Sequence, residues 1–206
     1  MNDKAPLVVQ TRNKEILISE PTTIAHAGRF YQAGAGLQFT IIGKQETAGS
    51  KTMLPVSLKD GRRINMITEG KDKHARARSK TWRSAVQDAA TAVADPLPAV
   101  CASIWASPLY MLVEYVTPRP ASHFNSKSEL NKQGREKPWP TSKPDVLKLT
   151  RAVEDALNDL IYKDDAAIVV EHISKCYGAR HVTTVTIRPL LDALPAQNFL
   201  LDTLTG

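Results

Sequence analysis

The chain has 206 residues, of which 42% are hydrophobic and 23% charged; this balance favours a globular domain with one core over a disordered chain. Its formal net charge of +6 favours a polyanionic partner. No run approaches the roughly 20 apolar residues of a membrane span, and the start MNDKAPLVVQ lacks the apolar core of a signal peptide, so we expect a cytoplasmic protein with no membrane partner.

The first part of the chain, residues 1–36, is predicted to be an arm that precedes the core. The apolar stretches 7–10 and 15–20 are spaced to pair as a short hairpin, whereas the glycine- and alanine-rich stretch 26–36 indicates a loop. The next stretch, 37–42, alternates apolar and polar residues as a half-buried strand does. We therefore expect the core to begin at that strand.

The stretch 59–83 is the most basic part of the chain. Asp60-Gly61 predicts a hairpin turn within it. A helix is predicted over 79–94, because apolar residues recur there at helical spacing and Asp-Pro follows. Arg76 and Arg78 precede this helix and are candidate contacts to DNA phosphates, with a solvated basic surface as the equally weighted alternative.

The next predicted strand, 109–116, has few polar residues, which favours a central position buried on both faces of a sheet. The stretch 121–142 that follows is long for a loop without structure of its own. Arg119 and His123 end the strand just before the next helix, so they are candidate phosphate contacts. A hydrogen-bonding role within the loop has nearly equal weight for His123.

A helix, an acidic turn and a strand follow one another without a gap between Lys143 and Lys175. The helix is predicted to begin near Asp145, because its apolar residues recur at steps of three and four and Pro-Asp suits a helix start. The turn ends in Asp164-Asp165, and the β-branched stretch 166–173 predicts a strand. A second strand, over 181–187, is expected to pair with it as a hairpin.

These elements predict an α/β fold, with a mixed sheet of four to five strands flanked by two main helices. We place the core domain over 37–189. Residues 190–206 form an apolar tail that is expected to pack on another surface, such as a second subunit.

The chemistry indicated by the sequence depends on carboxylates. Cys101 and Cys176 form no Cys-x-x-Cys pair and no histidines cluster at zinc spacing, which argues against a zinc site or a disulfide framework. Asp145 stands at a helix start and Asp164-Asp165 at a strand start. We expect a compact hairpin of helix and strand to bring these two places together. Clustered carboxylates bind Mg²⁺. The surrounding cations are Lys143, Lys148, Arg151, Lys163 and Lys175, and such a centre suits hydrolysis of a phosphodiester.

The string KPDVLKLTRAVEDALNDLIYKDD, residues 143–165, resembles the signature of the RusA family of Holliday-junction resolvases. In that signature an Asp-x-Asp pair opens a helix, a Lys or Arg and then Asp-Ala-Leu follow, and Tyr-x-Asp-Asp leads into a strand. Weaker similarity extends the resemblance over roughly 37–188. It implies a RusA-like dimeric endonuclease, dependent on Mg²⁺ or Mn²⁺, that cuts four-way junctions in recombination and repair, often in phages and hence in a bacterial or phage-infected cell.

Matched to that signature, Asp145 is the first motif aspartate and Arg151 the basic residue of the helix. Asp165 is the turn aspartate that serves as a metal ligand, with Asp164 beside it. The resemblance thus implies catalytic roles for Asp145, Asp165 and Arg151. Lys148, which stands where an Asn is common in the family, is added to them for its charge. The basic residues that are candidate DNA contacts by charge and position are Lys143, Lys163, Lys175, Arg119, His123, Arg76 and Arg78.

Leu147 stands where the second aspartate of the signature would be, and a leucine cannot bind Mg²⁺. Either Asp164 or Glu154 supplies the missing oxygen, which gives the ligand set Asp145, Asp165, Asp164 and Glu154, or the centre is attenuated. Attenuation leads to the alternative function, a DNA-junction binding protein of the same fold that does not cut. A basic structural protein is the third hypothesis.

Overall fold

The computed structural model describes residues 8–11, 14–17, 22–26, 29–47, 51–57, 59–69 and 73–193. The strands in these ranges are β1 (Val8–Thr11), β2 (Lys14–Leu17), β3 (Thr22–His26), β4 (Arg29–Ala33), β5 (Leu37–Ile42), β6 (Lys51–Ser57), β7 (Arg63–Glu69), β8 (Leu109–Pro118), β9 (Ile168–Gly178) and β10 (Val182–Ala193). The helices are α1 (Lys73–Ala94), α2 (Pro98–Ala106), α3 (Lys132–Glu136) and α4 (Val146–Leu157), and single 3-10 turns lie at Ala121–His123 and Asp165–Ala167.

One mixed sheet organises the protein and confirms the predicted α/β class. Its strand order is β3-β4-β10-β8-β9, and β5 also pairs with the first half of β10. The β8–β9 pair is parallel, because α4 carries the chain back between these two strands, whereas the other described pairs of this sheet are antiparallel. The sheet has six strands rather than the expected four to five.

The additional strands come from the part predicted to be an arm. Although the glycines and alanines of 26–36 indicate a loop, β4 forms there, because β3 pairs with one of its edges and the end of β10 with the other, at Leu190 opposite Ala33. The end of β10 therefore includes 190–193, which the sequence assigned to the tail; residues 194–206 lie outside the described residues. The predicted hairpin over 7–20 is confirmed in part, since β1 pairs with β2.

The expected hairpin between β9 and β10 is wrong. β8 lies between these strands, pairing in parallel with β9 and antiparallel with β10. Two strands that follow one another in sequence often pair. Here, however, the earlier strand β8 pairs with both of them, because its apolar sequence suits the central position. β9 is consequently at one edge of the sheet.

The main core lies between one face of this sheet and the helices α1 and α4. Alternate residues of β8 point into it, among them Met111, Val113 and Tyr115, all at most 1% exposed. Tyr110 points to the opposite face, where it packs with Val170 and others. The start of β8 is therefore covered on both faces, as the sequence predicted, whereas Glu114 further along the second face is exposed.

The first helix begins before its predicted start at residue 79. α1 begins at Lys73, so Arg76 and Arg78 lie on its first turns, and α2 was not predicted. In the part of the chain that the structure describes, no single helix is long and apolar enough to span a membrane. Arg76–Ala94 and Pro98–Ala106 reach that composition only as a pair, which is bent by 116°.

Candidate nucleic-acid and catalytic site

The helix α4 begins at Asp145 because that residue caps it. One carboxylate oxygen of Asp145 accepts a hydrogen bond from the backbone N–H of Leu147 at 3.0 Å. The buried face of the helix carries Leu149, Val153 and Leu157, whereas Leu147 is 65% exposed. The helix start is therefore accessible, and it presents a carboxylate and an apolar side chain to solvent.

A small basic cavity of about 60 Å³ lies at this same helix start. Lys44, Lys143 and Lys175 line it, together with His181 and several uncharged residues. The ammonium group of Lys175 donates to the carbonyl oxygens of Ser142, at 2.9 Å, and Pro144, at 3.0 Å. An ammonium has three N–H donors, so one remains for a ligand. Three lysines around one cavity form a site suited to a phosphate group.

A buried glutamine fixes one wall of the basic cavity. The Gln45 side-chain amide donates to the carbonyl oxygens of Val116 and Val182, both at 2.9 Å. Its own oxygen therefore accepts from His181 Nδ1, at 2.7 Å. Burial, followed by the charge of Lys44, lowers the pKa of His181. The positive charge of this cavity at neutral pH thus comes from the lysines.

The opposite end of α4 carries an acidic group. Glu154 on α4 forms a side-chain hydrogen bond with Glu171 on β9, and the charge of Asp165 also acts on Glu154. Burial is the main cause that raises the pKa of Glu154, followed by Asp165. Burial, the charge of Glu154 and the shared hydrogen bond raise the pKa of Glu171 to about 7. Below about pH 7, Glu171 therefore keeps a proton that it can donate to Glu154.

This pair makes stability depend on pH. The folded protein holds the Glu171 proton up to about pH 7, whereas an unfolded glutamate loses it near pH 4.3. Between these values the folded state binds more protons, so the free energy of unfolding falls as pH rises. We expect Glu171→Gln to remove this loss and to raise the Tm at pH 8 by roughly 2–4 °C, with little change at pH 4.

The measurement is thermal unfolding across pH 4–8 for the wild type and the variant. Glu114→Gln, at an exposed position of β8, is the matched control and should leave the pH profile unchanged. Parallel profiles for the wild type and Glu171→Gln would show that the two carboxyls do not share a proton.

The two ends of α4 are too far apart for the predicted metal set to surround one ion. The contacts of Lys175 at the helix start and of Glu171 nearer its end show that α4 runs antiparallel to β9. Asp145 and Glu154 are nine residues apart, which is about 13 Å along a helix, whereas ligand oxygens lie within about 2–2.6 Å of Mg²⁺ or Ca²⁺. A hairpin of helix and strand joins the helix end, not its start, to the strand start.

The described acidic side chains also fail to converge on one point. Among the described residues, no three His, Cys, Asp or Glu side chains converge closely enough to hold a metal ion. One carboxylate oxygen of Asp164 accepts a hydrogen bond from the N–H of Ala166, at 2.8 Å, and so caps the 3-10 turn. The carboxylates of a single protomer in this structure therefore do not fit the metal implied by the resemblance.

The predicted cations on and after α4 are exposed. Lys148, Arg151 and Lys163 all have solvent-accessible side chains. The charge of Arg151 acts on Glu154 and favours its ionised form. On α1, Arg76 is exposed, whereas Arg78 forms an ion pair with Glu46 at 3.2 Å. Arg76 is thus the more available of these two arginines.

Two predicted phosphate contacts have other roles in the structure. His123 is only 4% exposed, so its ring cannot reach a DNA backbone. The 3-10 turn buries this side chain within the loop instead of exposing it on the loop surface. The guanidinium of Arg119 donates to the carbonyl oxygens of Gly134, Lys137 and Pro138, at 3.0, 3.0 and 3.3 Å. Arg119 therefore holds the loop together, and these N–H donors are directed at backbone rather than at a ligand.

Sequence reasoning missed Glu171 and Lys44. One face of β9 carries Glu171, Ile173 and Lys175, which are two residues apart. Ile173 packs on the core that α4 shares. The two-residue period of a strand could therefore have placed Glu171 beside α4, as it places Lys175. Lys44 had no comparable signal, because it reaches the basic cavity from a distant part of the chain.

Comparison with known proteins adds to this geometry. The sequence model of a family described as Endodeoxyribonuclease RusA matches residues 61–188. The chain is also 41% identical over 86 residues to a protein of Bacillus subtilis (strain 168) described as uncharacterized protein YqaN. That alignment covers 42% of this chain and 61% of the relative, so the chain spans less than two thirds of the relative's length.

Proposed function

The chain belongs to the RusA endodeoxyribonuclease family, and from that premise we propose that it binds and cuts branched DNA, with the four-way Holliday junction as its substrate. The proposal includes a homodimer, which suits a two-fold symmetric junction, and a role in recombination and repair in a bacterial or phage-infected cell. The family match supports endonuclease action on junctions, and the resemblance of residues 143–165 implies the homodimer and the cellular setting. The geometry of α4 adds independent support for the binding of DNA.

The observation that carries the proposal is the basic cavity beside Asp145. Lys143 lines this cavity and is two residues before Asp145, while the anchored ammonium of Lys175 fixes the segment between them. A DNA phosphate held by Lys44, Lys143 and Lys175 would therefore lie next to a motif carboxylate. The phosphate and the first motif carboxylate would then share the start of α4, whereas Asp165 lies beside Glu154 near the opposite end of this helix.

The side chains of the basic cavity, of α4 and of the turn after it have distinct proposed roles. The lysines neutralise and orient the backbone phosphates. Arg151 and Lys148, on the exposed part of α4, stabilise the negative charge that develops on the phosphate or on the leaving oxygen. Asp145 and Asp165 are the proposed catalytic carboxylates. Mg²⁺ or Mn²⁺ dependence is proposed from the family resemblance alone, because the described carboxylates of one protomer do not converge on one ion.

A second function is favoured by one specific observation. Leu147 is an exposed leucine where the family signature has an aspartate, and in the described part of the chain no three potential ligands converge. A protein with this site could keep the basic surface, bind junctions and fail to cut them. The two candidates agree on DNA binding and differ in cleavage.

The shared claim of DNA binding is tested by Lys143→Ala. We expect this variant to bind a four-way junction about 10-fold more weakly at low salt, and to reduce the slope of log K against log salt by about one, because one phosphate contact is lost. The measurement is a salt series of junction binding by fluorescence anisotropy.

Arg62→Ala is the matched control for this experiment. Arg62 is exposed and its charge is already balanced by Asp60, at 2.7 Å. The control should leave both affinity and salt slope near the wild-type values. Equal losses in the two variants would mean that net charge, rather than the basic cavity, determines binding.

A further inference from the structure

The segment between β8 and α4 is an ordered platform rather than an open loop. Arg119, at the start of this segment, is joined to residues 134–138 by its three hydrogen bonds to backbone carbonyl oxygens. The side chain of Asn131 donates to the carbonyl oxygens of Ser122 and Phe124, at 2.8 and 3.2 Å, and accepts from the N–H of Gly134, at 2.9 Å. Gly134 packs so closely on the His123 carbonyl that an added Cβ would lie 2.3 Å from its oxygen. This network of hydrogen bonds fixes the side chains that the platform exposes to solvent.

The platform presents aromatic rings to a cavity of about 600 Å³. Phe124, Pro138 and Trp139 line one part, and Tyr177 lines another at the end of β9. Trp139 is 65% exposed and Phe124 is 37% exposed. Apolar rings on a well-ordered segment normally turn inward, so rings held in solvent on a rigid support indicate a binding surface.

The charge around this cavity is positive. The Arg119 guanidinium lies over the Tyr177 ring, 4.3 Å from its centroid. Lys137 and Arg180 are exposed and adjoin the lining residues in sequence, at Pro138 and Ala179. Within the described residues neither has an ion-pair partner, whereas the nearby Glu136 pairs with Lys132 at 3.9 Å. Aromatic rings bordered by unpaired cations complement a ligand with flat rings and negative charges.

We propose that this cavity binds an unpaired nucleobase of single-stranded DNA, with Trp139 and Phe124 as the stacking surfaces and Lys137 and Arg180 as contacts to the flanking phosphates. The inference rests on the proposed function for its ligand class, DNA, and extends it. Bases within a duplex already stack on their neighbours, so only unpaired bases can enter such a cavity. The preferred substrates would therefore carry single-stranded character at or beside the branch point.

The test compares two labelled single strands of equal length and charge, an oligothymidylate and an abasic strand. Their phosphates are the same, so the ratio of their affinities isolates the bases. We expect the wild type to bind the oligothymidylate about 10-fold more tightly, which is the contribution of roughly one stacked base. Trp139→Ala should bring the ratio close to one, whereas Trp139→Phe should keep part of it.

Trp105→Ala is the matched control, because Trp105 is also exposed, at 48%, but lies on α2 and outside the cavity. It should keep the wild-type ratio. Phe124→Ala provides a second variant if Trp139→Ala does not fold. A wild-type ratio of one, or an unchanged ratio in both cavity variants, would overturn the proposal and assign the cavity to another occupant.

This readout is separate from cleavage. Failure of the proposed function would appear as no cutting of any junction, with the strand-affinity ratio unaffected. Failure of the present proposal would appear as a ratio of one in a protein that still binds or cuts junctions.

Discussion

Replacement of Asp165 by Asn is expected to remove junction cleavage and to leave junction binding within about two-fold of the wild type. Among the three motif aspartates, Asp145 and Asp164 each accept a backbone N–H, whereas no hydrogen bond to the Asp165 carboxylate is found in the described part of the chain. Asp165 is therefore the motif carboxylate most available for chemistry. We expect a loss of about 100-fold or more in cleavage rate, which is the size of effect that a positioned catalytic carboxylate typically has.

A second readout of Asp165→Asn does not depend on activity. The negative charge of Asp165 contributes to the raised pKa of Glu154, so its removal should lower that pKa in an NMR titration. Asp88→Asn, at an exposed position of α1, is the matched control and should change neither cleavage nor the Glu154 titration. Cleavage by Asp165→Asn at the wild-type rate would exclude Asp165 from the catalytic site.

Replacement of Leu147 by Asp is expected to increase metal-dependent cleavage by at least roughly 10-fold, equivalent to about 1.4 kcal/mol of barrier. The new carboxylate would be two residues from Asp145, at the accessible start of α4, and would complete the pair found in the family signature. Leu147 is 65% exposed, so little buried apolar surface is lost. A carboxylate in the first helical turn also contributes about 0.3–1 kcal/mol of stability through the helix dipole.

Leu147→Asn separates charge from size in this experiment. It has nearly the same shape as the aspartate variant but supplies no negative charge, so it should cleave at the wild-type rate. Calorimetric titration with Mn²⁺ should detect binding to the Leu147→Asp variant that is stronger than binding to the wild type. If neither metal binding nor cleavage increases, the leucine is not what limits this site.

The sequence predicted the elements of the core well because each carries its own local pattern. β8 has an apolar run in which Glu114 is the one charged residue, and α4 repeats apolar residues with a helical period, so both were predicted close to their observed bounds. The helix start at Asp145 follows from one capping residue. These features depend on neighbours in the chain, which a sequence displays directly.

Contacts between distant parts of the chain were not predictable in this way. Pairing of β4 with the end of β10 overrides the glycine-rich appearance of residues 26–36. Lys44 joins Lys143 and Lys175 at the basic cavity only because β5 and β8 flank the first half of β10. The direction of α4 relative to β9 likewise separates Asp145 from Asp165, although both belong to one continuous motif.

The most direct test of the central claim is cleavage of a labelled four-way junction by the purified protein, with Mg²⁺, Mn²⁺ or EDTA, beside a linear duplex at the same salt concentration. A branched-DNA endonuclease should produce paired, symmetric nicks in the junction with either metal, none with EDTA, and little cutting of the duplex. Tight binding of the junction without nicks in either metal would contradict that function and leave a junction-binding protein.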